Sequence, residues 1–303
     1  MSTLRRLSAF TDDLDGGNPA GVWIGESLPT AAAMQAIAAD VGYSETVFAT
    51  PTTGRQRTVR YFSPKAEVPF CGHATIALGH ALADVEGEGD YALDTPAGHV
   101  AVTVTRDDDG ARVATLTSVA PSHVDADDEL VDAALTHLGW SRQDLDPALP
   151  PAVAHAGAHH LVLAAATRER LAALDYDVEG LRDLMLDRDL TTVALVHLES
   201  PTTIHARNPF PVGGVVEDPA TGAAAAALGG LLRARGLVTP PADLVIHQGV
   251  DMGRPSTLAV HIPASGGIAV GGRAVELADP DPGTGRAQAS GSADTTASAS
   301  SGP

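Results

Sequence analysis

The chain is poor in cysteine, lysine and aromatic residues, and each shortage excludes something. Cys71 is its single cysteine, so no intramolecular disulfide can form and no Cys-x-x-Cys pair is available for zinc. Lys65 is its single lysine; Lys and Arg together number 19 against 38 Asp and Glu, for a net charge of −19. Phosphate backbones are held by dense Lys and Arg, so nucleic acid is not an expected partner. No apolar run reaches the roughly 18 residues of a membrane span, and MSTLRRLSAFTDDLD at the start has no apolar core before its acidic run. The expectation is a cytoplasmic protein with no membrane partner and no signal peptide. There is no P-loop and no G-x-S-x-G elbow, and GEGDYA at 87–92 lacks the flanking strand and helix of a dinucleotide site.

What is present is enough apolar sequence to build a real core, 44% of 303 residues, and an internal echo. Residues 67–82, EVPFCGHATIALGHAL, are echoed 150 positions later at 217–232, EDPATGAAAAALGGLL. Glu67 matches Glu217, Pro69 matches Pro219, Gly72 matches Gly222, and Ala77-Leu78-Gly79 matches Ala227-Leu228-Gly229. Each copy reads as a carboxylate, a proline-bearing turn, a glycine and an Ala-rich helix. Two such helix starts suggest two similar halves sharing one anion-attracting site.

Around these copies the pattern is mostly strand. Strands are expected at 4–10, 22–24, 43–50, 58–62, 91–95, 100–105 and 112–118 in the first half. In the second half they are expected at 160–165, 192–198, 203–207, 244–247, 257–262, 268–270 and 273–277. Helices are expected at 31–40, 129–138, 168–174 and 180–187 beside the two central ones. One prominent helix per half among clustered strands favours an α+β fold. The expected division is 1–118, 119–279 with the last strand able to return to the first half, and a disordered tail at 280–303, which has no Leu, Ile, Val or aromatic residue.

Several residues could carry chemistry. Period-two alternation places Tyr43, Glu45 and Val47 on one strand face; if that face is buried, the Glu45 carboxyl rises towards a proton-moving range, and if the strand is an edge it faces water. Cys71, Gly72 and His73 open a helix whose dipole favours thiolate and disfavours imidazolium, although a lone cysteine and a histidine can equally be packing residues. Asp218 precedes the second helix and reads either as its cap or as a site acid. His155, His159 and His160 invite a metal reading, but 155/159 spacing suits a helix, and HAGAHHLVLA reads as loop into strand with no acidic partner.

The blocks FTDDLDGGNPAGVW at 10–23, YSETVF at 43–48, RYFSP with EVPFCGHAT at 60–75, EDPATGAA at 217–224 and HQGVDMGRPS at 247–256 are together similar to the phenazine-biosynthesis PhzF-like isomerase family. That resemblance implies a diaminopimelate-epimerase-like fold: two pseudo-symmetric α+β halves, each a β-barrel-like sheet around a central helix. It implies a cleft site, a homodimer, and no metal or organic cofactor. Carried over, Glu45 is the general acid/base, with His73 and Asp218 beside it, and the best-known member isomerises a dihydro-hydroxyanthranilate. Asn18, Ser44, Cys71, Gly72, Gly222 and Ala223 fall at substrate-lining positions. The family commonly has TGSA where this chain has Thr221-Gly222-Ala223-Ala224, so a hydroxyl that would hold a substrate carboxylate is missing.

The reading favoured is a cofactor-independent isomerase or epimerase of a small carboxylate-bearing substrate. A Cys71-dependent amino-acid racemase and a non-catalytic binding protein on the same scaffold are the alternatives. A thiol/thiol racemase is excluded by the single cysteine.

Overall fold

The computed structural model describes residues 2–278; the expected tail at 280–303 lies outside them. The first half runs β1 (Thr3–Ala9), β2 (Asn18–Ile24), α1 (Ala31–Val41), β3 (Glu45–Pro51), β4 (Gln56–Phe62), β5 (Glu67–Val68), α2 (Gly72–Glu86), β6 (Gly89–Thr95), β7 (Gly98–Arg106) and β8 (Arg112–Thr117). The second runs β9 (Ser122–Asp125), α3 (Asp128–Leu138), β10 (Ala152–His155), β11 (His159–Ala164), α4 (Arg168–Ala172), α5 (Val178–Asp187), β12 (Thr192–Leu198), β13 (Thr203–Pro209), β14 (Glu217–Asp218), α6 (Gly222–Ala234), β15 (Ala242–Gln248), β16 (Ser256–Ile262), β17 (Ala269–Gly272) and β18 (Ala274–Glu276).

The pairing order repeats. In the first half β1–β2 is antiparallel, β2–β3 parallel, β3–β4 antiparallel and β4–β6 parallel, followed by antiparallel β6–β7–β8. The strands β10–β11–β12–β13–β15–β16–β17 pair in the same sequence of senses. β9 pairs with β10 within the second half, and the halves are joined where β18 crosses back to β1 and β8 pairs with β17. The return of the last strand to the first half therefore occurs.

Each half wraps a central helix. Eleven consecutive residues of α2, His73 to Ala83, are buried, as are nine of α6, Ala224 to Leu232. A helix surrounded by strands must be thin, which explains the Ala and Gly content of both copies. A Cβ on Gly79 would come within 2.9 Å of Val102 and 3.1 Å of Ala114; one on Gly229 would meet Ile268 at 3.1 Å and Val260 at 3.3 Å. The two glycines 150 residues apart serve one purpose, close approach of helix to sheet. Smaller cores lie outside: α1 covers Trp23, Phe48 and Phe62, and α3, α4 and α5 cover Leu161, Leu163, Val193 and Leu195.

The echoed carboxylates are structural partners. Arg60 on β4 holds Glu67 through two bonds of 2.6 and 2.5 Å, and Arg207 on β13 holds Glu217 through bonds of 3.0 and 2.5 Å. Both arginines sit two residues before the strand partner of their glutamate. The first pair is part-exposed; the second is buried, with side chains 9% and 5% accessible.

Short elements escaped the sequence reading, namely β5, β9, β10 and β14. In the stretch 119–151, where the sequence predicted only the helix at 129–138, the chain also forms β9, and the helix packs into a core. Among the described residues no helix is long and apolar enough to cross a membrane.

Candidate active site

Strand ends and helix starts converge at one place. Ser44 and Glu45 stand at the start of β3, Asn18 at the start of β2, Cys71 caps α2, Asp218 ends β14, Thr221 caps α6 and Gln248 ends β15. Surface helices α1, α3 and α5 have Thr30, Asp127 and Asp177 bonding their first turns. Neither α2 nor α6 has a side-chain cap of that kind. Their positive ends therefore remain for other partners.

Glu45 is not at a sheet edge. β3 lies between β2 and β4, and the 45/47/49 face turns inward, with Val47 and Ala49 fully buried. Tyr43 does not share that face, because the strand begins only at Glu45 and 43–44 form a bend. The Glu45 side chain is 17% accessible. Its Oε2 lies 3.5 Å from His73 Nε2 and 3.6 Å from Cys71 Sγ, which donates to it. Cys71 Sγ is also 3.3 Å from His73 Nδ1, and Ser44 Oγ is 3.4 Å from His73 Nε2.

The second half supplies Asp218. Asn18 Nδ2 donates to its Oδ1 at 2.7 Å, and the Thr221 hydroxyl donates to its Oδ2 at 2.6 Å. Asp218 is not the cap of α6; Thr221 occupies that position, and Asp218 bonds side chains instead. Burial pushes its carboxyl up to about 6, with the Glu45 charge adding to the rise and His73, Thr221 and Asn18 drawing it back. An acid poised there can hold or release a proton near neutral pH.

Cys71 follows the packing reading rather than the thiolate one. Burial, followed by the charge of Glu45, pushes its thiol well above the ordinary value, outweighing the helix dipole that would favour thiolate. Gly72 faces open space, for a Cβ there would meet nothing within 4 Å, and Gly222 has Phe10 no nearer than 3.6 Å. Ala223 follows Gly222 at the start of α6, part-exposed. All nine expected site residues thus belong to the facing starts of β2, β3, α2 and α6 or the turns before them.

Gln248 and Thr221 were missed. Gln248, 1% accessible, accepts the Thr221 N–H through Oε1 at 3.1 Å, and its Nε2 donates to the Asp218 carbonyl at 2.7 Å and to Thr221 Oγ1 at 2.9 Å. Because Gln248 fills an acceptor site on that hydroxyl, the Thr221 proton is directed to Asp218. Their signal was the HQG and ATG of the two late blocks. Arg254 donates to the Gly16 and Gly17 carbonyls at 2.6 and 2.9 Å, tying the 249–256 segment to the loop before Asn18.

The histidine cluster is arranged otherwise than its spacing suggested. The β10–β11 hairpin pairs His155 with His159, ring centroids 4.8 Å apart, and Asp189 lies 3.3 Å from His159. His160 turns inward and bonds Thr192. A cavity of about 300 Å³ over β15–β17, lined by Thr115, Asp243 and His261, shares no residue with the site.

The profile of the PhzC–PhzF family, described as phenazine biosynthesis-like protein, matches residues 7–279. The chain belongs to this PhzC–PhzF family. An uncharacterized isomerase of Deinococcus radiodurans is 33% identical over 280 residues, covering 88% of each chain. The trans-2,3-dihydro-3-hydroxyanthranilate isomerase of Pseudomonas fluorescens is 30% identical over 256 residues, covering 83% of this chain and 87% of the relative. The crystal structure of a Bacillus anthracis PhzF-family phenazine biosynthesis protein superposes with TM-score 0.81 at 22% identity, covering 92% of this chain and 98% of the other. That likeness shows the diaminopimelate-epimerase-like α+β fold. The PhzC–PhzF family is one of enzymes, and these curated relatives are named isomerases.

Proposed function

We propose that this chain is a cofactor-independent isomerase or epimerase that moves a proton on a small carboxylate-bearing substrate. The observation that carries it is the convergence of Glu45 and His73 from one half with the poised Asp218 of the other. Glu45 takes a proton from a carbon next to the substrate's activating group. Asp218, whose carboxyl burial raises to about 6, or His73 beside it returns or shares it. The starts of α2 and α6 stabilise the substrate carboxylate and the enolate-like charge that develops. The enzyme works as a homodimer in the cytoplasm.

Ala223 points to a substrate other than the dihydro-hydroxyanthranilate of the Pseudomonas fluorescens relative, since its methyl offers no hydroxyl to a carboxylate. Solvent-deuterium incorporation across a panel of small amino- and hydroxy-carboxylates, including that compound, tests the reading. Exchange into one of them supports it; a protein that exchanges none and instead captures a defined protein partner is the binding-scaffold alternative. Cys71→Ser separates the racemase alternative: exchange centred on Glu45 persists in that variant, whereas a cysteine base loses it.

A further inference from the structure

Glu45, Cys71 and His73 are three different kinds of metal ligand, and among the described residues they form the group whose ligand atoms lie within 4.8 Å of one another. Their geometry is closer than that limit requires. Cys71 Sγ to Glu45 Oε2 is 3.6 Å, Cys71 Sγ to His73 Nε2 is 3.8 Å, and His73 Nε2 to Glu45 Oε2 is 3.5 Å. A point about 2.2 Å from all three atoms lies just off the plane of this near-equilateral triangle, close to the usual zinc bond lengths to N, O and S. The ligand edges of a tetrahedral zinc site are of the same size, roughly 3.3–3.7 Å.

We infer that this triangle is a binding site for Zn²⁺ that closes the acid/base machinery reversibly. Thiolate, imidazole and carboxylate together select a borderline-soft cation over Mg²⁺ or Ca²⁺, which prefer all-oxygen shells. Three protein ligands leave a fourth position for water. On binding, the Cys71 thiol releases its proton to solvent and the sulfur lone pair goes to zinc; no electron is transferred. Glu45 Oε2 and His73 Nε2 give up the lone pairs they would use for proton transfer, and the Ser44 hydroxyl loses its contact with Nε2. The metal is thus an inhibitor of the site rather than a cofactor. The inhibition rests on the proposed reaction; the binding does not.

Cobalt(II) reports the ligand set without any substrate. Titrating purified full-length protein with Co²⁺ should give one equivalent bound, a thiolate-to-cobalt charge-transfer band in the near ultraviolet, and loss of that band when Zn²⁺ is added. Cys71→Ser should abolish the band, and both it and His73→Gln should weaken Zn²⁺ binding more than tenfold in competition with a chromophoric chelator. His159→Ala, which removes the exposed histidine pair, should change neither. Circular dichroism checks that each variant is folded. Absence of the thiolate band in the wild type, or unchanged zinc affinity in a folded Cys71→Ser protein, overturns the proposal while leaving the proton-transfer reading standing.

Discussion

Asn18 of the first half donates its side-chain amide to Oδ1 of Asp218 in the second, at 2.7 Å across 200 residues of sequence. The same amide reaches the Ala220 carbonyl at 3.2 Å. One side chain therefore joins the halves and fixes an oxygen of the poised acid. With Thr221 on the other oxygen, both sides of the Asp218 carboxyl meet donors, and an added proton must point away from them.

The Asp218 carboxyl should make stability depend on pH. Its value rises from an ordinary 3.8 to about 6 in the folded protein. Between those values the folded state keeps a proton that the unfolded state releases. Its contribution to stability is therefore full below about pH 4 and declines as pH rises to about 6. The stability of the wild type minus that of Asp218→Asn, from urea unfolding, should fall across this window and level off above it. Asn18→Ala removes a donor that favours the charged form, so its own decline should extend to higher pH. A difference that stays flat from pH 4 to 7 contradicts the burial of this acid.

The matched ion pairs should differ in worth. Glu217→Gln leaves Arg207 buried without its charge partner and should cost about 3–5 kcal/mol. Glu67→Gln removes the equivalent partner from the part-exposed Arg60 and should cost under about 1 kcal/mol. Parallel denaturant titrations compare them directly. Equal losses would show that burial does not separate the two copies.

Two glycines near the site should respond oppositely to alanine. A Cβ on Gly72 meets open space, so Gly72→Ala should change stability by no more than about 1 kcal/mol, the helix-propensity range. It should still weaken binding of small carboxylates, measured by NMR titration, because the methyl occupies the cleft. Gly249 has φ 75°, and a Cβ there would come 2.2 Å from the Arg254 carbonyl oxygen and 2.8 Å from that of Pro219. Gly249→Ala should therefore destabilise the fold by at least about 1–3 kcal/mol, visible in thermal unfolding.

Much of the fold was legible because two signals were strong. The copied helices carry their similarity outside the poly-Ala stretch, at the Glu and Gly positions, and these are the positions that grip Arg60 and Arg207 or approach the sheet. The long strands alternate clearly. The short strands β5 and β14 are two residues each and have no period to read. The β10–β11 hairpin hid the pairing of His155 with His159, since spacing along a chain says nothing about register across a turn. The motif positions pointed to Glu45, His73 and Asp218, and the fold brings these three together. Gln248 and Thr221 were not assigned, because a buried amide that orients a hydroxyl leaves no pattern beyond its own letter. For Cys71 the sequence left two readings open: the helix dipole is visible in sequence, whereas the burial beside Glu45 that decides against a thiolate is a tertiary fact.

The proposed role of Glu45 as the base is tested most directly by isotope exchange. Wild-type protein and Glu45→Gln are incubated in D₂O with the carboxylate that shows exchange, and incorporation is followed by NMR and mass spectrometry, with unfolding curves recorded for both. Deuterium should enter in the wild type, and incorporation should fall by at least about 100-fold in a Glu45→Gln protein that remains folded. Exchange at the wild-type rate in that variant would contradict that role.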